Sequence, residues 1–220
     1  MSLSHSPKIV TNGLVLCLDA ADQKSYPGTG TTWFDRSGNG NNGTLIGGVG
    51  YNSTNAGIIV FDGINDNVSF STSSLIVNTI SLWLYIKVVQ NSAIIYSGPD
   101  VYSSSLWEWS IFIYNSDIYF RCSSSGGANI FIYPAANYVN KWVNFTLIRD
   151  FNSLSYLYEN GIYKNQDNQA SSVNTNQLRI GKSSSSAANM NLGNTLLYNR
   201  ALTAQEIQQN FNATRGRYGI

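Results

Sequence analysis

Aliphatic and aromatic residues recur at every second position through much of the chain between residues 58 and 198, in short runs separated by Gly, Asn, Ser and Asp. A two-residue period belongs to a β-strand that has one buried face and one different face. The pattern predicts strands at 13–18, 58–62, 67–71, 79–88, 93–97, 107–114, 117–122, 129–133, 142–149, 154–159, 177–181 and 189–198. Between Tyr158 and Tyr163, the Asn160-Gly161 pair suits the two positive φ angles of a tight type I′ hairpin. Residues 20–57, rich in Gly, Asn, Ser and Thr, read as an ordered surface loop with at most a short edge strand. A single segment carries a helical signature. Thr203 and Glu206 form a capping box, Leu202 and Ile207 occupy the staple positions, and Ile207 and Phe211 share a face. The helix is expected over 203–214, with Gly216 as its stop. The fold class is therefore all-β, an antiparallel two-sheet sandwich with one short C-terminal helix. Residues 1–12 form an N-terminal arm, and 13–220 form one domain that includes the helix and a short tail.

Parity within each strand separates two faces. Ile80, Leu82, Leu84 and Ile86 mark a core row, opposed by Ser81, Trp83, Tyr85 and Lys87. Trp107, Trp109, Ile111 and Ile113 oppose Glu108, Ser110, Phe112 and Tyr114. Ile118 and Phe120 oppose Tyr119 and Arg121, and Ile130 and Ile132 oppose Phe131 and Tyr133. The second face is polar with interleaved rings. Such a face suits a sugar, whose C–H surface stacks on a ring while Asn and Ser side chains pair with its hydroxyls. The carbohydrate or partner-binding candidates are Trp83, Tyr85, Tyr114, Tyr119, Arg121 and Tyr133. The alternative is that long loops or a partner subunit cover that face.

Composition narrows the classes. Charged residues make up 11% of 220, while 29 Ser and 27 Asn supply turn chemistry in place of charge. A net charge of +1, with no basic run, gives no field for a nucleic-acid backbone. No stretch is apolar for long enough to span a membrane, and the first ten residues lack a signal-peptide core. Cys17 and Cys122 have neither the number nor the company of a disulfide framework or zinc site, and read as buried thiols or one bridge. Four sequons, at Asn42, Asn52, Asn144 and Asn212, carry little weight in so Asn-rich a chain.

Catalytic chemistry is poorly supplied. His5 is the sole histidine and lies in the arm, which argues against histidine-based nucleophilic catalysis. Glu108, Glu159 and Glu206 are far apart, and no strand carries two acids on one face as a glycosidase pair requires. The chain reads as no enzyme, without cofactors. Two oxygen-rich loops leave a structural calcium ion open: Asp35 and Asn39 in one, Asp62 and Asp66 in the other. Against it, the same residues cap turns through their own backbone.

Seven motifs in order resemble the concanavalin A-like lectin/glucanase superfamily in its laminin-G-like jelly-roll branch. They are 12–16, 33–44, 61–66, 79–83, 141–143, 158–161, and 197–203 leading into Glu206-Ile207. That resemblance implies the jelly-roll sandwich, with Trp142 in its core. The acid-bearing strand of the family's enzymes is absent, and Leu192-Gly193-Asn194-Thr195-Leu196 lacks the family's common Asp. Segments 16–22, 25–28 and 208–218 are similar to laminin-G-like proteins of tailed bacteriophages. This implies a virion structural protein, as capsid decoration, fibre or tail-associated module. Its expected partners are capsid or tail proteins, met through the arm, tail or aromatic face, in a homo-oligomer. It would be assembled in the host cytoplasm and released by lysis. The other expectation is a carbohydrate-binding lectin module, free or host-surface-recognising, in an extracellular setting.

Overall fold

The structure, a computed structural model, describes residues 7–71, 75–97, 109–121, 131–150, 154–168, 178–183 and 186–220. Its strands are β1 (Leu14–Asp19), β2 (Thr32–Trp33), β3 (Gly43–Ile46), β4 (Gly50–Asn52), β5 (Ile58–Asp62), β6 (Asn67–Phe70), β7 (Thr79–Ile86) and β8 (Ser92–Tyr96). Then come β9 (Ser110–Tyr114), β10 (Asp117–Arg121), β11 (Phe131–Pro134), β12 (Trp142–Arg149), β13 (Ser155–Glu159), β14 (Ile162–Asp167), β15 (Arg179–Ile180) and β16 (Asn189–Tyr198). Helix α1 (Ala204–Thr214) runs into a 3-10 turn, Arg215–Tyr218.

Two antiparallel eight-stranded sheets face each other. The first has the order β14-β13-β12-β7-β16-β5-β4, with β1 also pairing β16; the second has β11-β10-β9-β8-β15-β6-β3-β2. The core fills the space between them: Leu82, Leu84, Phe145, Leu147 and Leu157 from the first sheet meet Ile95, Trp109, Ile111, Ile118 and Phe120 from the second. Rows of alternating apolar residues pack this way because each pleat turns successive side chains to opposite faces. The long segment 20–57 holds more regular structure than expected. It contributes β2, β3 and β4, and it buries Trp33 completely.

β16 breaks the period. Met190 and Leu192 point into the core, as does Leu197, while Leu196 and Tyr198 join an outer cluster with Ile207 of α1. The change of parity comes from an irregularity in the ladder between Leu192 and Thr195. β11 corrects the expected faces. Tyr133 is paired opposite Ile118, so Phe131 and Tyr133 turn toward the core and Ile132, 47% exposed, turns out. Ile130 lies outside the described residues.

At the hairpin, Asn160 and Gly161 have φ of 53° and 75°, as the sequence requires. At α1, Thr203 accepts from the Glu206 amide, and Glu206 accepts from the Thr203 amide at 2.9 Å. Gly216 is not the stop: the chain continues through the 3-10 turn and leaves it at Gly219, whose φ is 73°.

Candidate functional site

On the outer face of the first sheet, Trp83 and Trp142 meet Phe211 and Tyr218 because α1 and the tail lie across it. Trp83 is fully buried there. Its ring stacks on Tyr218 at 4.2 Å and on Phe211 at 5.6 Å, and its Nε1 donates to Thr214 Oγ1 at 2.8 Å. A Cβ at Gly193 would overlap the Tyr218 phenol oxygen and sit 2.7 Å from its Cζ, so the ladder irregularity and a glycine together make room for that ring. Arg217 clamps the tail by donating to both carboxylate oxygens of Asp19, at 2.8 and 3.0 Å. The tail expected to reach for a partner is thus packed on its own sheet. The arm is likewise tied down: the Val10 amide donates to Asn210 Oδ1, and Tyr198 donates to the Val10 carbonyl. Residues 1–6 lie outside the described residues.

Past the end of this cover the face opens. Tyr85 and Trp142 are paired across β7 and β12, their rings 5.5 Å apart, and Trp142 lies 4.6 Å from Tyr218. With Asn140, Lys141, Glu159, Asn160 and Ile220 they enclose a groove of about 460 Å³. Trp142 is half-buried on the outer face, not in the core, because Val143, Phe145 and Leu147 of the same strand take the inward positions. Asn140 and Asn160 sit at turn tips with positive φ. Asn160 Oδ1 accepts from the Asn144 amide at 2.9 Å, while its Nδ2 and the Asn140 side chain have no partner among the described residues. Glu159 is paired with Lys164, which also donates to Tyr138. The groove therefore combines an aromatic floor with amide donors at its rim.

The six expected binding residues do not converge. Trp83 is sealed beneath α1, which corrects its reading as an exposed stacking ring. Tyr85 belongs to the groove. Tyr114, Tyr119 and Arg121 lie on the outer face of the second sheet. There Tyr119 stacks on Phe112 at 4.9 Å, Tyr114 meets Tyr119 edge-on at 6.5 Å, and Arg121 sits 5.0 Å above Phe112. Burial lowers the Arg121 pKa from its ordinary value. Tyr133, on the core side of β11, lies under the Lys164 ammonium at 4.6 Å. Trp142 and Tyr218 were the members missed; the parity of β12 already placed Trp142 outward, whereas nothing local in sequence placed Tyr218.

The calcium loops fit a different role. Asp35 accepts from the Cys17, Ser37 and Asn41 amides and from Ser37 Oγ, at 2.7 to 3.0 Å. Its oxygens are thereby committed to protein donors. Asn39 turns its amide nitrogen, not its oxygen, to the Leu14 carbonyl. In the second loop Asp62 accepts from the Ile64 amide and Asp66 from the Asp62 amide. Burial raises the Asp66 pKa, the hydrogen bond from the Asp62 amide opposes that rise, and the Asp62 carboxylate adds to it. Among the described residues no three His, Cys, Asp or Glu residues group as metal ligands. The Asp35 carboxylate is saturated by protein donors, whereas Asp66 Oδ1 is buried without a hydrogen-bond partner among the described residues. Glu206 is ion-paired with Arg200, as Glu159 is with Lys164, and Glu108 and His5 fall outside the described residues. Cys17 is a free, buried thiol pushed up to about 12 by burial and then by Asp19, so it is a poor nucleophile; Cys122 is outside the described residues.

The fold is similar to solved binding domains of clostridial toxins. One is the botulinum neurotoxin serotype D binding domain, at TM-score 0.72 and 15% identity over 92% of this chain and 52% of that one. Another is the binding domain of Paraclostridial Mosquitocidal Protein 1, at TM-score 0.69 and 18% identity over 92% and 52%. A third is the binding domain of botulinum neurotoxin DC in complex with SialylT, at TM-score 0.69 and 16% identity over 93% and 52%. This chain spans about half the length of those proteins, and at such identity the likeness is one of fold. No curated protein sequence matches it. The profile named Laminin_G_3 does match, over residues 61–208, from the strand that opens the Asp62 loop through the middle of α1. That is more than half of the sequence, and the chain belongs to this family of the concanavalin A-like lectin/glucanases superfamily.

Proposed function

We propose that the chain is a non-catalytic binding module that holds a saccharide in the Tyr85–Trp142–Tyr218 groove. One observation carries this reading: half-buried rings flank unpartnered amide donors in a concavity large enough for one or two sugar units. A fold shared with a toxin binding domain whose solved form holds SialylT supports it. The test is a glycan array followed by titration of any hit, with and without calcium. Wild type should bind and Trp142→Ala should not, while both stay folded. An array negative under both conditions overturns the reading.

A second reading, a virion module, rests on a separate observation. Two of the three sequence segments that resemble phage proteins, 16–22 and 208–218, meet on one flank through the Asp19–Arg217 pair. In this reading that flank docks several copies onto capsid or tail proteins, and the chain is located in the virion. Gradient sedimentation of native material, with the chain tracked by peptide mass spectrometry, tests it. Migration apart from particles overturns it.

A further inference from the structure

The groove does not end at Trp142. Ile220 lines both it and a second hollow of about 380 Å³ that runs along the tail past Arg215. The two hollows adjoin at Ile220 and together trace a path along the tail, with rings at one end and the end of α1 at the other. Two exposed cations stand on this path. Lys141 holds its ammonium 5.7 Å from the Tyr138 ring, and Arg215 holds its guanidinium 5.8 Å from the Phe211 ring. Neither has a carboxylate partner among the described residues. The four ion pairs there are Arg36–Asp22, Lys164–Glu159, Arg200–Glu206 and Arg217–Asp19. Those pairs neutralise the other charges along the path, Glu159 by Lys164 and Arg217 by Asp19.

We infer that the groove takes an anionic saccharide, one bearing a carboxylate or sulfate ester; this rests on the saccharide reading above. In a chain with only 25 charged residues and a net charge of +1, two uncompensated cations on one path set the local potential. Each is held beside a ring face, which keeps it near the path. The sugar ring would stack on Trp142 and Tyr85, and its acidic substituents would meet Lys141 and, further along, Arg215. The placement argues against a neutral glycan as the preferred ligand, because a neutral glycan would leave both cations unused.

The experiment compares three oligosaccharides of equal length, one neutral, one containing uronic acid and one sulfated, titrated against the full chain at low and high salt. An acidic ligand should bind about tenfold tighter than the neutral one at low salt, with the preference shrinking as salt screens it. Lys141→Gln and Arg215→Gln, both at exposed positions, should each lower acidic-ligand affinity severalfold more than neutral-ligand affinity, and equal losses for both ligand types would overturn the charge assignment. Trp142→Ala should abolish binding of all three. Whether uronate or sulfate binds better identifies the acidic group; either order supports the inference. Equal binding of neutral and acidic ligands that still depends on Trp142 overturns the inference and leaves the saccharide reading standing. Binding of none of the three overturns both.

Discussion

Replacing Gly193 with alanine tests how the tail is held. No positive φ forbids an alanine there, and in a bare strand the change should be neutral or mildly favourable. In this protein the added methyl occupies the place of the Tyr218 phenol, with Trp83 Cβ also only 3.0 Å away. Tyr218 must therefore leave. Its departure forfeits the stacking on Trp83 and Trp142, each pair contributing roughly 0.5–1.5 kcal/mol beyond burial. It also exposes an aromatic side chain now 6% accessible, a burial that contributes about 2 kcal/mol. Together these predict a loss of about 3 kcal/mol for Gly193→Ala and a similar loss for Tyr218→Ala. Because both changes remove the same contact, the double variant should lose about 3 kcal/mol rather than about 6. Urea unfolding followed by circular dichroism and by the summed fluorescence of the five tryptophans measures all three. Additive losses, or a Gly193→Ala variant as stable as wild type, would refute the reasoning.

Thr214→Val strands the Trp83 indole N–H in a buried site and should cost about 1–3 kcal/mol in the same assay. Trp142→Ala, at a half-buried outer position, should cost about 1–2 kcal/mol rather than the 3–5 typical of a core aromatic, while losing saccharide binding in the titration. Glu206 is held down at about 2 chiefly by its hydrogen bonds from Arg200, against the opposing effect of burial and with help from the Thr203 amide. A lowered pKa stabilises the fold above the ordinary value of 4.5 and loses that contribution as pH falls toward 2, so acid melting curves of Glu206→Gln should lack that part of the decline. Asp35→Ala should destabilise by about 3 kcal/mol or more by leaving buried amides unpaired, and neither calcium nor a chelator should move the wild-type melting temperature.

Much of the fold was legible because its causes are local. The period of two in Ile80 to Ile86 needs only a pleat and one dry side, and the Thr203–Glu206 box and the Asn160-Gly161 turn are satisfied within a few residues. What failed depended on partners distant in sequence. Tyr133 and Ile132 exchanged faces because the register of β11 is set by β10. Trp83 looked like an open ring because its strand cannot say that α1, more than a hundred residues later, will cover it. Short strands in residues 20–57 were hidden by turn residues, since β2 and β4 hold their places mainly by edge pairing. Of the groove, Tyr85 was foreseen and Trp142 lay in plain parity, but Tyr218 joins only through the folded tail.

That tail has a mechanical consequence. Tyr218 and Ile220 form one wall of the groove, and they belong to a segment fastened by a ring slot, an arginine clamp and a hydrogen bond from Asn55 to the Arg217 carbonyl. A load applied through this segment peels those fastenings one after another, whereas β1 and β7 resist as whole ladders along β16. The wall would come away while both sheets stay intact. On the proposed saccharide function, grip on a ligand would thus yield at lower tension than the sandwich itself, and the groove would act as a releasable anchor under strain.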